Sequence, residues 1–154
     1  MSRMLVVVVA IAATAALLAA VTAVGSGSRG SQGKSFTVVE HATTDATTDT
    51  GASGDSGGDI LTFANEVFDA QDASKVGTDQ GSCIRIVPGE SYECTWTTTV
   101  RGGHITVEGP FYDKKNSTLA ITGGTGRYRN ARGTMDLEAR AGGTKFGFVF
   151  HVSG

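Results

Sequence analysis

The chain has 154 residues, with 13 Lys or Arg against 15 Asp or Glu and a formal net charge of -2. That balance leaves no basic footprint for nucleic acid and no polybasic patch for anionic lipid, so the electrostatically driven binding classes are excluded. With 22 Gly but only 2 Pro and 2 Cys, the chain is rich in tight turns and too poor in thiolates for a cysteine-based metal centre.

The N-terminus opens on Met1-Ser2-Arg3-Met4 and runs through an apolar stretch from Leu5 to Val24, interrupted only by Thr14 and Thr22. A short basic start, an apolar run and then small residues is the order of a secretory signal. Residues 1–24 are therefore predicted to be a signal peptide, cleaved after Ala23 or after Gly25. An uncleaved membrane anchor is the alternative, because a run of this length can span a bilayer. The mature protein is accordingly expected to be secreted, with no membrane contact after cleavage. Residues 25–34 (GSGSRGSQGK) have nothing to bury and read as a flexible linker, leaving residues 35–154 as one domain.

Within that domain Phe36 to Glu40 alternates weakly and predicts a first strand. The stretch from Ala42 to Gly58 is Thr, Asp, Gly and Ser without a large apolar residue, and predicts a mobile loop. Asp45, Asp49 and Asp55 within it lack the spacing of a calcium loop. Asp59 to Phe68 predicts a second strand. Cys83 and Cys94 flank a Pro88-Gly89 turn, which predicts a hairpin from about Gly81 to Val87 and from Ser91 to Val100. Folding that hairpin symmetrically puts Cys83 opposite Cys94, within bridging range, so a disulfide is expected in an oxidising compartment; two buried free thiols are the alternative. Further strands are predicted at His104 to Gly109, Thr118 to Thr122, Thr134 to Arg140 and Lys145 to Val152. Eight short strands with glycine turns and no helical period indicate an all-β protein, an antiparallel barrel or sandwich. Closed at eight strands, a barrel has an interior filled by side chains or holding one small ligand.

The glycine block ITGGTGRY (residues 121–128) is not a nucleotide loop, because RNARG follows it where a phosphate loop needs an amphipathic helix. It belongs instead to a set of blocks with a familiar order. GHITVEGP (residues 103–110), LAITGGTGRY (119–128) and ARG (131–133) closely resemble the allene oxide cyclase family, and the last two also resemble dirigent proteins. GDILTFAN (residues 58–65) fits the second-strand pattern of the same proteins. The resemblance implies an eight-stranded antiparallel barrel, lipocalin-like in shape and often trimeric, whose hydrophobic pocket steers the cyclisation or coupling of a reactive substrate. It carries three pocket residues onto Glu40, Asn65 and Cys83. Two departures stand out: Ala42 replaces an Asn, and the segment from Ala42 to Gly58 lacks the family's Ser-Pro. Both point away from the plant reaction itself.

Chemically, such a site works by shape and one charge: apolar walls hold a folded substrate while a carboxylate meets developing positive charge. Glu40 and Asn65 are the candidate catalytic residues. Glu40 could instead be a solvent-facing strand end, and Asn65 could instead satisfy backbone at a bulge. Arg85, Tyr92 and Trp96 share the Cys83/Cys94 face by strand alternation and are candidate pocket residues, with Trp96 either core or ligand platform. No cofactor is expected, and no metal, since His41, His104 and His151 have no ligand spacing. The expected partner is a small hydrophobic molecule, with homo-oligomerisation implied by the resemblance. Two functions remain open: a secreted cyclase of isomerase type, or a non-catalytic barrel binding a small lipophile or acting in surface interaction or defence.

Overall fold

The computed structural model describes residues 33–154. The predicted signal peptide and nearly all of the linker lie outside the described residues. Strands follow one another as β1 (Lys34–His41), β2 (Ala46–Thr48), β3 (Ile60–Phe68), β4 (Lys75–Val87), β5 (Ser91–Val100), β6 (Gly103–Tyr112), β7 (Ser117–Gly124), β8 (Arg132–Arg140) and β9 (Lys145–Ser153). Single 3-10 turns sit at Gly126–Tyr128 and Ala141–Gly143.

From β3 to β9 each strand pairs antiparallel with the next, and β9 pairs with β1. The end of β1 then returns to β3 through Val39↔Phe68, Glu40↔Val67 and His41↔Glu66, which closes the sheet. Eight strands make the barrel, as the sequence indicated. The ninth, β2, extends the free edge of β3 through Ala46↔Thr62 and Thr48↔Ile60.

Alternation decides what enters the barrel. Along β5, Tyr92, Cys94, Trp96 and Thr98 are buried while Glu93, Thr95 and Thr97 face outward or sit at the margin. Ile105 and Val107 from β6, Leu119 and Ile121 from β7, Met135 and Leu137 from β8 and Phe148 and Phe150 from β9 fill the same interior. Aromatic rings run through it in contact: Phe36 stacks on Phe150 at 4.8 Å, and Trp96 meets Phe63 at 5.9 Å and Phe148 at 5.6 Å.

Three predicted boundaries shift. β1 begins at Lys34, inside the predicted linker. β4 begins at Lys75, because cross-strand pairing with β3 continues through a stretch (KVGTDQG) whose glycines and polar residues hide the alternation. The third concerns the predicted bare loop from Ala42 to Gly58. Besides holding β2, its polar side chains satisfy its own backbone and that of its neighbours. Asp59 accepts from Ser56 N at 2.8 Å and Thr50 N at 3.1 Å, Asp49 accepts from Gly54 N, and Asp55 accepts from Gly89 N at 2.6 Å.

Cys83 lies directly opposite Cys94 on β4 and β5, their Cα atoms 4.0 Å apart, and the two form a disulfide. Crosslinking residues 11 apart constrains the unfolded chain, and its loss should cost roughly 2–3 kcal/mol on the chain-entropy account. Urea unfolding of oxidised and reduced protein should show that difference in midpoint. Coincident curves would mean the bridge adds nothing to stability.

Candidate active site

β1 is the strand where the barrel closes, and Glu40 sits at that closure. Its neighbours are Phe146 on β9 and Val67 on β3. Alternation from Val38 sends Glu40 inward, and its side chain is 5 % exposed. A carboxyl in such a place requires donors. Asn65 on β3 supplies one: its Nδ2 donates to Glu40 Oε1 at 2.7 Å and to Asp45 Oδ1 at 2.7 Å. The Asn65 carbonyl oxygen in turn accepts from the backbone N–H of Thr43 and of Thr44, both at 3.0 Å, and from Thr44 Oγ1 at 2.9 Å. Three donors on one oxygen set the orientation of the amide, which leaves the NH2 facing the two carboxyls.

Directly across the β3–β4 ladder from Asn65 lies Asp79. It is 1 % exposed, and neither oxygen has a hydrogen-bond partner among the described residues. Its carboxyl lies close enough to that of Glu40 for each to shift the other's titration. Two buried carboxyls in contact cannot both ionise cheaply. Burial pushes Glu40 up to about 7, with the Asn65 hydrogen bond opposing and the Asp45 charge adding. Burial and then the Glu40 charge push Asp79 up to about 9. At neutral pH the pair holds at least one proton, and Glu40 stands near its midpoint.

Glu40 and Asp45 form the polar end of a cavity of about 90 Å³. Its walls are Leu61, Phe63, Trp96, Phe148 and the Cys83–Cys94 bridge, and Phe111, Leu137 and Phe146 line its outer end. Those last three also wall an open vestibule of about 440 Å³ at the barrel mouth, bounded by residues 112–116 and by Ala139 and Gly143. Cavity and vestibule together fall in the range of small-molecule sites, roughly 300–1,000 Å³.

The residues singled out from the sequence separate accordingly. Glu40, Trp96 and Cys83 line the cavity, the last as half of a disulfide and not as a thiol. Asn65 is 1 % exposed and stands behind Glu40, so it positions the carboxyl and does not line the cavity. Arg85 and Tyr92 share the predicted inward face but not the cavity. The Arg85 Nη1 donates to both oxygens of Asp113 at 2.8 Å, its Nε pairs with Asp55 at 2.7 Å, and its guanidinium lies 3.6 Å from the Tyr92 ring centre. That side chain ties the Ala42–Gly58 segment and the β6–β7 turn to the β4–β5 hairpin, and all its charge is spent there. Two participants escaped the sequence reading. Asp79 was detectable from the parity of Cys83, since every second residue back along the strand faces inward, but the strand itself was unrecognised there. Asp45 carries no local signal.

Known proteins bear the same architecture. The structure resembles that of a pyocyanin demethylase, with a TM-score of 0.65 and 26% identity over 76% of this chain and 100% of the other. It resembles AbnU, an exo-specific intermolecular Diels-Alderase, with a TM-score of 0.64 and 14% identity over 79% of this chain and 98% of the other. A pterocarpan synthase dirigent protein matches with a TM-score of 0.61 and 17% identity over 82% and 99% of the two chains. The last two likenesses speak to fold alone. The family description of allene oxide cyclase matches residues 37–154. Since that match runs from the first strand of the barrel to the end of the chain, the protein belongs to the allene oxide cyclase family.

Proposed function

We propose that the protein is an exported small-molecule enzyme of isomerase type, which folds a largely apolar substrate inside the barrel and steers its cyclisation or coupling. The observation that carries this reading is Glu40, a carboxyl with a midpoint near neutrality at the end of an aromatic cavity. A group so poised exchanges a proton at working pH and, ionised, meets positive charge that develops in the substrate. Phe63, Trp96, Phe146 and Phe148 exclude water and restrict the substrate's conformation, which lowers the entropic part of the barrier. Asn65 keeps Glu40 Oε1 aimed while its other bonds anchor the segment after β1. Likeness at 26% identity to a demethylase supports small-molecule chemistry in this barrel. The Cys83–Cys94 bridge supports export, since such bonds persist in oxidising compartments.

Purified mature protein incubated with a panel of polyenes and unsaturated epoxides should give ring-closed isomers of unchanged mass. Glu40→Gln keeps the shape and removes the charge, and should slow that conversion by about 100-fold, the scale typical of a lost acid–base or charge-stabilising group. Equal rates would eliminate Glu40 as the reacting group. One observation favours a second reading, a non-catalytic lipophile carrier: the disulfide leaves Cys83 no thiol. Apolar ligands that bind without any being converted would establish it.

A further inference from the structure

We propose that the end of the barrel opposite the cavity mouth is a docking surface for an anionic phospholipid membrane. Composition alone argues against a basic surface, because acids outnumber bases, but it does not say where each charge falls. The fold separates them. Arg101 on the β5–β6 turn, Arg127 and Arg129 on the β7–β8 connection, Arg132 at the start of β8 and Lys34 at the start of β1 emerge at one end, all exposed. Arg127 N–H donates to Gly102 O at 2.9 Å, which sets it beside Arg101. Arg127 and Arg129 border one hollow with Val152 and Gly154, while Lys34 pairs with Val152 and Arg132 with Ser153. The connection that carries Arg127 and Arg129 is fixed: Tyr128 N–H donates to Thr125 O at 2.9 Å, Ala131 N–H donates to Tyr128 O at 2.8 Å, and the Tyr128 ring is buried against Phe36.

Among the described residues none of these basic side chains takes part in an ion pair, whereas Lys75, Arg85, Arg140 and Lys145 all do. Residues 1–32 hold no Asp or Glu that could supply a partner. Of the acids on the β3–β4 turn at the same end, Asp72 is paired with His41 and Lys145. Asp69 accepts from Ala73 N at 2.9 Å, and together with the Gly154 carboxyl group it leaves most of the positive charge unbalanced. The opposite end has the reverse sign: Asp45, Asp49, Asp55, Asp59, Glu90 and Asp113 gather in the segment after β1 and the β4–β5 and β6–β7 turns. β6, with 10 residues, separates the two ends by about 30 Å. That distance exceeds the Debye length of about 8 Å at physiological salt, so the acids do not repel what the bases attract. Two observations select a membrane over a soluble polyanion. The apolar run from Leu5 to Val24, which meets a bilayer whether as signal or as anchor, joins β1 at this end. The ten or so intervening residues reach at most about 35 Å, so the arginine end is the one delivered beside the membrane. The aromatic ring among the arginines, Tyr128, is buried and offers a nucleobase nothing to stack on. Docking in this orientation leaves the cavity mouth open to solution.

An anionic lipid surface strengthens binding about fivefold for each Lys or Arg held against it. Purified mature protein should therefore float with vesicles of phosphatidylcholine that contain about one third phosphatidylglycerol, and not with phosphatidylcholine alone. Raising salt from about 0.05 M to about 0.5 M should release it. Arg127→Gln combined with Arg129→Gln should weaken the binding about 25-fold, fivefold for each charge. Arg127→Lys combined with Arg129→Lys should leave it intact, which separates charge from any disturbance of Tyr128. Lys114→Gln combined with Lys115→Gln, at the mouth, should leave it intact as well. Equal flotation with phosphatidylcholine alone, or an equal loss from the mouth variant, would overturn the docking surface. Tight binding to soluble polyphosphate with none to the phosphatidylglycerol vesicles would assign this end to an acidic polymer and overturn the membrane. Neither result bears on the cavity, whose ligands are tested separately.

Discussion

Replacing Asp79 by Asn should make the protein more stable at pH 8 than its parent and flatten the fall in stability on the alkaline side. Asp79 and Glu40 both have folded-state pKa values above those of the unfolded chain, at about 9 and about 7. The native protein therefore holds protons that the unfolded chain has released. The stability these groups contribute is fully present below about pH 4 and is lost as pH rises through about 7 for Glu40 and about 9 for Asp79. On the acid side the sense reverses. The Ser56 and Thr50 N–H groups hold Asp59 below its usual value, and Lys145 and His41 hold Asp72 below its own. Their contributions are present at neutral pH and lost on acidification. A stability optimum on the acid side of neutrality follows. Keeping one proton bound through a tenfold fall in proton activity costs about 1.4 kcal/mol, so removing the Asp79 titration should recover a few kcal/mol at pH 8, and several degrees of melting temperature. Thermal melts of both proteins from pH 5 to pH 9 test this. Parallel curves would show that the carboxyl pair is not a shared-proton pair.

Gly81→Val should be the most damaging single change in the barrel wall. Gly81 pairs with Trp96 across the β4–β5 ladder, and Trp96 lies over the space a side chain would need. A Cβ at position 81 would stand 2.2 Å from the Trp96 Cβ and 2.5 Å from the Thr95 carbonyl oxygen. Neither neighbour can retreat without parting β5 from β4 or driving the indole into the cavity. Overpacking of this kind costs roughly 3 kcal/mol or more, and the branched side chain sharpens it. Gly123→Ala is the control, because the nearest atom there is the flexible Arg132 Nη1 at 4.0 Å. Urea unfolding should separate the two by that margin, and ligand binding at the cavity should fail in the Gly81 variant even where it remains folded. Equal midpoints would mean that Trp96 does not depend on the missing side chain.

The eight barrel strands were legible because each binary pattern is local. Period-two alternation in β5, β6 and β9, the Pro88-Gly89 turn and the mirror spacing of Cys83 and Cys94 are settled within a dozen residues. The site was legible only in part. Glu40 and Asn65 drew notice through their place in a pattern of resemblance, yet whether each reaches the cavity depends on how the barrel closes. Glu40 does, and Asn65 stands behind it, because β1 meets β3 at Glu40↔Val67. Arg85 shows the limit of parity arguments. It lies on the inward face as the alternation requires, but Asp55 and Asp113 approach from segments 30 and 28 residues away and take its charge. Asp79 shows the converse: in a Gly-rich stretch without apolar alternation, only its β3 partner reveals it as a strand residue facing Asn65.

By itself, then, the amino-acid order determined the all-β class, the strand count of the barrel, the hairpin register and the pairing of the two cysteines, all short-range consequences of side-chain period and turn chemistry. Tertiary structure alone decided that Glu40 from β1 and Asp45 from the segment after β1 meet at one end of an aromatic cavity, with Asp79 from β4 buried behind Glu40. Their effect on one another depends on burial and on distances between atoms far apart in sequence, and neither quantity is encoded in any local stretch of the chain.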